Sequence, residues 1–178
     1  GYTSNENFDA GKNGKTAIQT IDNNKVFTTP FVGAAFKEFP VLENSNNYTR
    51  FEQLCMLSIQ EAMQNIDIDL TRNDTIFILS TTKGNIELIE KSEINDTLRN
   101  RVSLPQTAKK ISNYFSFSNT PIVLSNACIS GVLAVIVAKR FLENGQYKQA
   151  VICGADILSP FVVSGFQSLH AMSANACK

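Results

Sequence analysis

Ile122-Val123-Leu124-Ser125-Asn126-Ala127-Cys128-Ile129-Ser130-Gly131 is the stretch whose reading decides the fold. An apolar run stops at a turn of small residues carrying a cysteine, and a longer apolar run continues from Val132 to Phe141. A short apolar run bounded by turn residues reads as a buried strand; the longer one reads as a helix. The spacing predicts a strand over Ile122–Asn126 and a helix over Cys128–Leu142. A thiol at that junction stands among the unpaired backbone N–H groups of a helix N-terminus, where a thiolate and a developing oxyanion are both favoured. The helix is apolar on nearly all sides, so it is expected to be central and covered. Asn144-Gly145 closes it with the chemistry of a C-cap.

The same alternation continues on either side. Thr75–Ser80 and Ala150–Cys153 are short continuous apolar runs of the kind found in buried parallel strands. Phe51, Leu54, Cys55, Ile59, Ala62 and Met63 recur at helical spacing and predict a helix over Arg50–Ile66, with Thr49 and Glu52 forming a capping box. Further helices are predicted over Ile86–Arg99, from Pro105 to about Tyr114, and over Pro160–Met172. Residues 1–49 are polar, with short apolar pieces at Val26-Phe27 and Phe31–Phe36, and read as loops with at most short strands. Buried strands alternating with helices imply a layered α/β fold with a mostly parallel sheet. No internal repeat or domain boundary is visible.

Composition removes several classes of function. The chain has 178 residues, 43% of them hydrophobic, which suits one domain with a sizeable core and excludes a disordered chain. Sixteen basic residues balance sixteen acidic ones without a dense basic cluster, so binding to nucleic acid or to a membrane surface is not expected. No apolar run is long enough to span a bilayer. Cysteines stand at 55, 128, 153 and 177 with no C-x-x-C pair and a single histidine, so neither a zinc site nor a disulfide framework is expected. The default location is the cytoplasm.

Ser125-Asn126-Ala127-Cys128-Ile129-Ser130-Gly131 resembles the active-site segment "S-[TN]-A-C-x-S-G" of the β-ketoacyl-(acyl carrier protein) synthases, condensing enzymes of the thiolase-like fold. Gly145 to Asp156 is similar to that family's "G-x-x-D-x-x-x-x-G-G-A-[DE]". Ser159-Pro160-Phe161 through Gly165-Phe166-Gln167-Ser168-Leu169-His170-Ala171-Met172-Ser173 is similar to "S-P-x-x-x-x-G-F-x-x-L-x-A-L-S". Upstream, Ala10–Gly14 resembles "A-G-K-S-G" and Arg50-Phe51 resembles part of "D-R-F".

The resemblance implies half of a thiolase-like fold: a mostly parallel sheet with helices on both faces and a buried helix following the nucleophile. It places residues 1–178 as an incomplete N-terminal β-ketoacyl synthase domain, lacking the family's first strand and its C-terminal half. That second half supplies two histidines and a lysine of the family's active site. His170, the lone histidine here, falls where the family usually has glycine and matches neither of them.

By the resemblance, Cys128 is the nucleophile that takes an acyl group from a carrier-bound thioester, and its own N–H is half of an oxyanion hole. Phe166 matches a phenylalanine that lines the acyl channel; as an ordinary residue it is a core aromatic. Lys83, in Ser80-Thr81-Thr82-Lys83-Gly84-Asn85, corresponds to the variable residue of "G-S-G-x-G-G" at the far end of that channel. A buried unpaired ammonium there disfavours long alkyl chains, so short or polar-ended acyl groups are expected; as a plain residue it is a solvated loop lysine. Asp156 is expected to cap a turn or to make a fixed structural pair, and Cys55 and Cys153 are expected in the core. No metal and no bound cofactor are implied. The phosphopantetheine thioester of acyl carrier protein is the substrate arm, and a homodimer across the edge strand before Cys128 is expected.

The activity implied is condensation of the Cys128 acyl-enzyme with malonyl-carrier, in fatty-acid or polyketide-like synthesis, with this fragment alone inactive. A non-catalytic ketosynthase-like partner that docks a carrier is the alternative, although such partners typically lose the cysteine. Thiolases and acyl-CoA-primed synthases share the fold, but "A-C-x-S-G" followed by "S-P…G-F" favours the carrier-dependent branch.

Overall fold

The computed structural model describes residues 2–23, 27–43, 45–90 and 92–173, which leaves Val26 and Cys177 outside the described residues. The first elements are α1 (Ser4–Lys12), β1 (Gln19–Ile21), β2 (Phe31–Gly33), α2 (Arg50–Met63) and β3 (Thr75–Ser80). A 3₁₀ turn at Ile86–Glu90 precedes α3 (Asp96–Val102), α4 (Leu104–Tyr114) and β4 (Ile122–Leu124). A second 3₁₀ turn at Ala127–Ile129 leads into α5 (Ser130–Glu143), β5 (Gln149–Gly154) and α6 (Pro160–Ser168). The chain divides into two compact units, one of Leu42–Ile157 and one of Gly1–Val41 with Leu158–Lys178.

The larger unit is built on a three-stranded sheet in the order β4-β3-β5, parallel throughout. All six residues of β3 are buried, as a continuous apolar run in a central parallel strand requires. Side chains alternate across it. Ile76 and Ile78 pack with Ala134 and Ala138 of α5. On the opposite face lies α2, because Cys153, the β5 partner of Leu79, donates its thiol to the carbonyl of Cys55 at 3.8 Å. Helices therefore cover both faces, as the sequence implies. Each fully buried isoleucine contributes about 1.5–3 kcal/mol.

Thr49 caps α2 as read from the sequence: its hydroxyl accepts from the Glu52 N–H at 3.2 Å and the Glu52 carboxylate accepts from the Thr49 N–H at 3.0 Å. Pro105 stands in the first turn of α4. At the end of α5, Asn144 is the C-cap and Gly145 takes φ +68°. Gly145 N–H bonds the Leu142 carbonyl and Gln146 N–H bonds the Phe141 carbonyl, a Schellman closure.

Three expectations are corrected. The single helix predicted over Ile86–Arg99 is instead a 3₁₀ turn and a separate α3, because the Asn95 side chain accepts from Leu98 N–H at 2.8 Å and starts a new helix. Residues 1–49 hold a real helix, α1, which buries no side chain and therefore shows no apolar stripe. Its start was legible as Thr3-Ser4-Asn5-Glu6, a Thr-x-x-Glu cap in which Thr3 accepts from Glu6 N–H. The helix after Cys128 exists, but it is not the covered helix the sequence implied. Only Ser130, Ala134 and Ala138 are buried, a narrow stripe of small residues against the sheet. Its outer face is apolar and open, with Val132 65% and Val135 57% exposed.

The smaller unit pairs β1 with β2 antiparallel and holds a core of Ile21, Phe31 and Val163. Ser159 caps α6, its hydroxyl accepting from Val162 N–H at 3.4 Å, with Pro160 in the first turn.

Candidate active site

Parallel pairing brings the carboxyl ends of the three strands to one edge: Ser80 stands opposite Leu124 in β4 and Gly154 in β5. The segments carrying Cys128, Lys83 and Asp156 all leave from that edge, where ligands of open α/β sheets gather.

Cys128 lies in the 3₁₀ turn immediately before α5 and is exposed; Cys55 and Cys153, the other described thiols, are buried. The turn is reached through an unusual backbone. Asn126 has φ −144° and ψ 67°, and Ala127 has φ +45°. The left-handed region costs a residue with a Cβ about 1–2 kcal/mol. Ser130 spans the kink: its Oγ accepts from Asn126 N–H at 2.8 Å and donates to the Ala127 carbonyl at 2.8 Å. Ile129 N–H bonds the Asn126 carbonyl and Ser130 N–H bonds the Ala127 carbonyl. The Cys128 N–H has no acceptor among the described residues. The turn therefore offers a thiol beside an open amide hydrogen at the positive end of a 14-residue helix.

Lys83 is neither buried unpaired nor simply solvated. Its side chain is 19% exposed, and Nζ lies 2.7 Å from Asp156 Oδ2 and 3.1 Å from Thr82 Oγ1. Thr81 Oγ1 donates to Asp156 Oδ1 at 3.2 Å and accepts from the N–H groups of Lys83 and Gly84. The desolvation argument changes accordingly: the ammonium is paired with the Asp156 carboxylate, and the turn presents an anchored ion pair. Asp156 makes the fixed pair expected of it. Phe166 belongs to α6 in the smaller unit and is 38% exposed. Cys128 and Lys83 thus share one sheet edge, while Phe166 stands in the other unit.

Behind the Lys83 turn is a buried polar cluster that the sequence did not announce as a cluster. Glu52 is fully buried, yet it receives both guanidinium nitrogens of Arg101, Nη2 at 2.6 Å from Oε2. Asn85 donates to Glu52 and Thr107, each at 3.0 Å, and accepts from the Thr49 hydroxyl at 2.6 Å. Burial pushes the Glu52 carboxyl up, but the Arg101 fork, the Thr49 N–H and the Asn85 amide outweigh it, and the net displacement is downward. Cys55 is displaced upward, first by its hydrogen bond with Cys153 and then by burial, so it stays a core thiol. Ser130 and Arg101 are the residues sequence reasoning missed. The signal for Arg101 was Glu52 itself, an acid predicted on a helix that must be covered.

Among the described residues no helix is long and apolar enough to cross a membrane, and no three His, Cys, Asp or Glu side chains are grouped to hold a metal.

Residues 124–169 match the family model described as 3-oxoacyl-[acyl-carrier-protein (ACP)] synthase III. A β-ketoacyl-[acyl-carrier-protein] synthase III of Clostridioides difficile (strain 630) is 34% identical over 95 residues, 53% of this chain and 29% of that one. The highly reducing polyketide synthase Preu1 of Preussia isomera is 36% identical over 67 residues, 37% of this chain and 3% of that one. The fold is shared with a ketosynthase (ApeO) solved in complex with its chain length factor (ApeC) from Xenorhabdus doucetiae. The TM-score is 0.68 at 20% identity, over 91% of this chain and 45% of that one. The chain thus spans about half the length of that solved neighbour and less than a third of these curated relatives. The cysteine turn lies inside the segment that is similar to the 3-oxoacyl-[acyl-carrier-protein] synthase III model, and the fold around it is the one shared with the solved ketosynthase.

Proposed function

We propose that this chain supplies the nucleophile of a condensing acyltransferase of the 3-oxoacyl-acyl carrier protein synthase type. The observation that carries the reading is the exposed Cys128 thiol beside its own unpartnered N–H, one residue ahead of the α5 cap. The Cys128 thiolate attacks the carbonyl carbon of an acyl thioester, and the oxyanion of the tetrahedral intermediate takes the Cys128 N–H as one donor. Collapse expels the thiolate of the carrier's phosphopantetheine arm and leaves a Cys128 thioester. Malonyl-carrier then loses carbon dioxide, its carbanion attacks that thioester, and the Cys128 thiolate departs as the β-ketoacyl product forms. Decarboxylation calls on groups outside this chain, so the 178-residue chain alone forms no β-ketoacyl product. In this reading the Lys83–Asp156 pair sets the polar far end of the acyl channel. β4, at the sheet margin, is the strand across which a homodimer forms. The acyl donor is carried by acyl carrier protein in the cytoplasm.

The test is acylation of the full-length protein by a labelled acyl-carrier thioester, followed by peptide mapping. Label on Cys128 alone, lost in C128A, is expected; label elsewhere, or none, refutes the reading. A second reading, a ketosynthase-like partner without chemistry of its own, draws support from the neighbour solved with a chain length factor. Carrier binding with no acylation of Cys128 would favour it. The retained thiol speaks for the first, since a subunit that does no acyl transfer has no use for a sulfur at this turn.

A further inference from the structure

We infer that Ser130 is a positioning residue for Cys128: its hydroxyl holds Ala127 in the left-handed conformation that presents the thiol and its N–H. This rests on the proposed nucleophilic role of Cys128 and adds what keeps that nucleophile in place.

The kink is unfavourable locally. A residue with a Cβ does not stay at φ +45° unless its surroundings hold it there. Ordinary helix-start chemistry is missing as well: neither Asn126, ahead of the 3₁₀ turn, nor Ile129, ahead of α5, makes a side-chain cap bond. Ser130 does the work from inside the helix. Its Oγ reaches back four residues to the Asn126 N–H and three to the Ala127 carbonyl, both at 2.8 Å. The two bonds tie the Ser125–Asn126 peptide to the Ala127–Cys128 peptide and so clamp the two residues of the kink, Asn126 and Ala127, between them. Ser130 itself is buried, so water does not readily replace it. Because Ala127 directly precedes Cys128, rotation of that one residue turns both the thiol and the Cys128 N–H away from their common target. Alanine at 130 leaves the Asn126 N–H without its acceptor and frees Ala127 to relax toward ordinary backbone.

The test measures the second-order rate of Cys128 alkylation by iodoacetamide in the full-length protein, together with acyl transfer from the labelled acyl-carrier thioester. S130A is expected to lower both rates about tenfold while thermal unfolding still shows a cooperative transition. S130T, which keeps the oxygen, restores them to within about threefold of wild type. On an A127G background, where the left-handed conformation needs no holding, the S130A penalty shrinks to under about threefold. This comparison also serves if S130A alone folds poorly. A wild-type alkylation rate in S130A, no rescue by threonine, or an undiminished penalty on the glycine background overturns the inference. If Cys128 is not the acyl-enzyme nucleophile, wild-type acyl transfer is absent while the alkylation effects persist, so the two failures are distinct.

Discussion

Arg101→Met is the perturbation that most directly probes how the sheet edge is supported. Methionine keeps the length of the aliphatic stem and removes only the guanidinium fork. Glu52 has no exposed surface, so its carboxylate cannot recover by hydration; it keeps the Thr49 N–H, the Asn85 amide and Lys110 Nζ at 4.0 Å. Stranding one partner of a buried pair typically costs about 3–5 kcal/mol, a large share of the roughly 5–15 kcal/mol by which domains are stable. The pH dependence fixes the sign. In the wild type the folded-state pKa of Glu52 is displaced below its ordinary value. Its contribution is therefore fully present above the unfolded carboxyl pKa of about 4.3 and is lost as pH falls through the lower folded value. Without the fork, burial remains and the folded pKa moves up, so the variant can protonate Glu52 and escape part of the penalty in acid. Urea unfolding of the full-length protein, followed by far-UV circular dichroism, should show a loss of about 3–5 kcal/mol at pH 7.5 that narrows near pH 4. A loss under about 1 kcal/mol at neutral pH, or an equal loss at both pH values, refutes the role assigned to this pair.

Further outcomes follow from single positions. Gly145→Ala, at φ +68° with open space around its Cβ, should cost about 1 kcal/mol in urea unfolding, all of it backbone strain. His170→Gly should do the reverse, because His170 sits at φ +51° after α6; a gain of about 0.5–1 kcal/mol is expected. In the intact enzyme, short acyl-carrier thioesters should acylate Cys128 faster than long saturated ones, and Lys83→Met should narrow the gap. Equal rates with a long chain in the wild type would remove Lys83 from the channel.

The legible parts of this chain are those where local chemistry and tertiary placement agree. Ile76–Leu79 is apolar without interruption and forms the middle of the central strand; Thr49 with Glu52 writes a cap, and Asn144-Gly145 writes its counterpart. His170 takes φ +51°, a conformation that favours glycine, although it bears a Cβ. The division into two units was illegible for a simple reason. The smaller unit is assembled from both ends of the chain, so no linear shift in composition marks it. α1 escaped because a helix that buries nothing carries no periodic signal, only a cap. In the site, residue type announced Cys128, but only coordinates could join Lys83 to Asp156 or Ser130 to Asn126 N–H, pairings that depend on turns and strand register.

α5 shows where pattern reading overreaches. Val132, Val135, Ile136 and Leu142 are as apolar as the residues facing the sheet, and a helix apolar on all sides is read as covered on all sides. The pattern reports how many faces ask for cover and is silent on what provides it. Within this chain the sheet covers one face, through Ala134 and Ala138 with Val137 and Phe141 packed beside them, and Val132, Val135, Ile136 and Leu142 stand open. Each large apolar side chain left in water forgoes about 1.5–3 kcal/mol, so the open face is a cost borne by the same helix that presents Cys128. The clamp at Ser130 gains weight from this. The start of α5 is fixed by two hydrogen bonds to the backbone of the kink, its body by the stripe centred on Ala134 and Ala138, and the thiol's orientation is set by the kink itself.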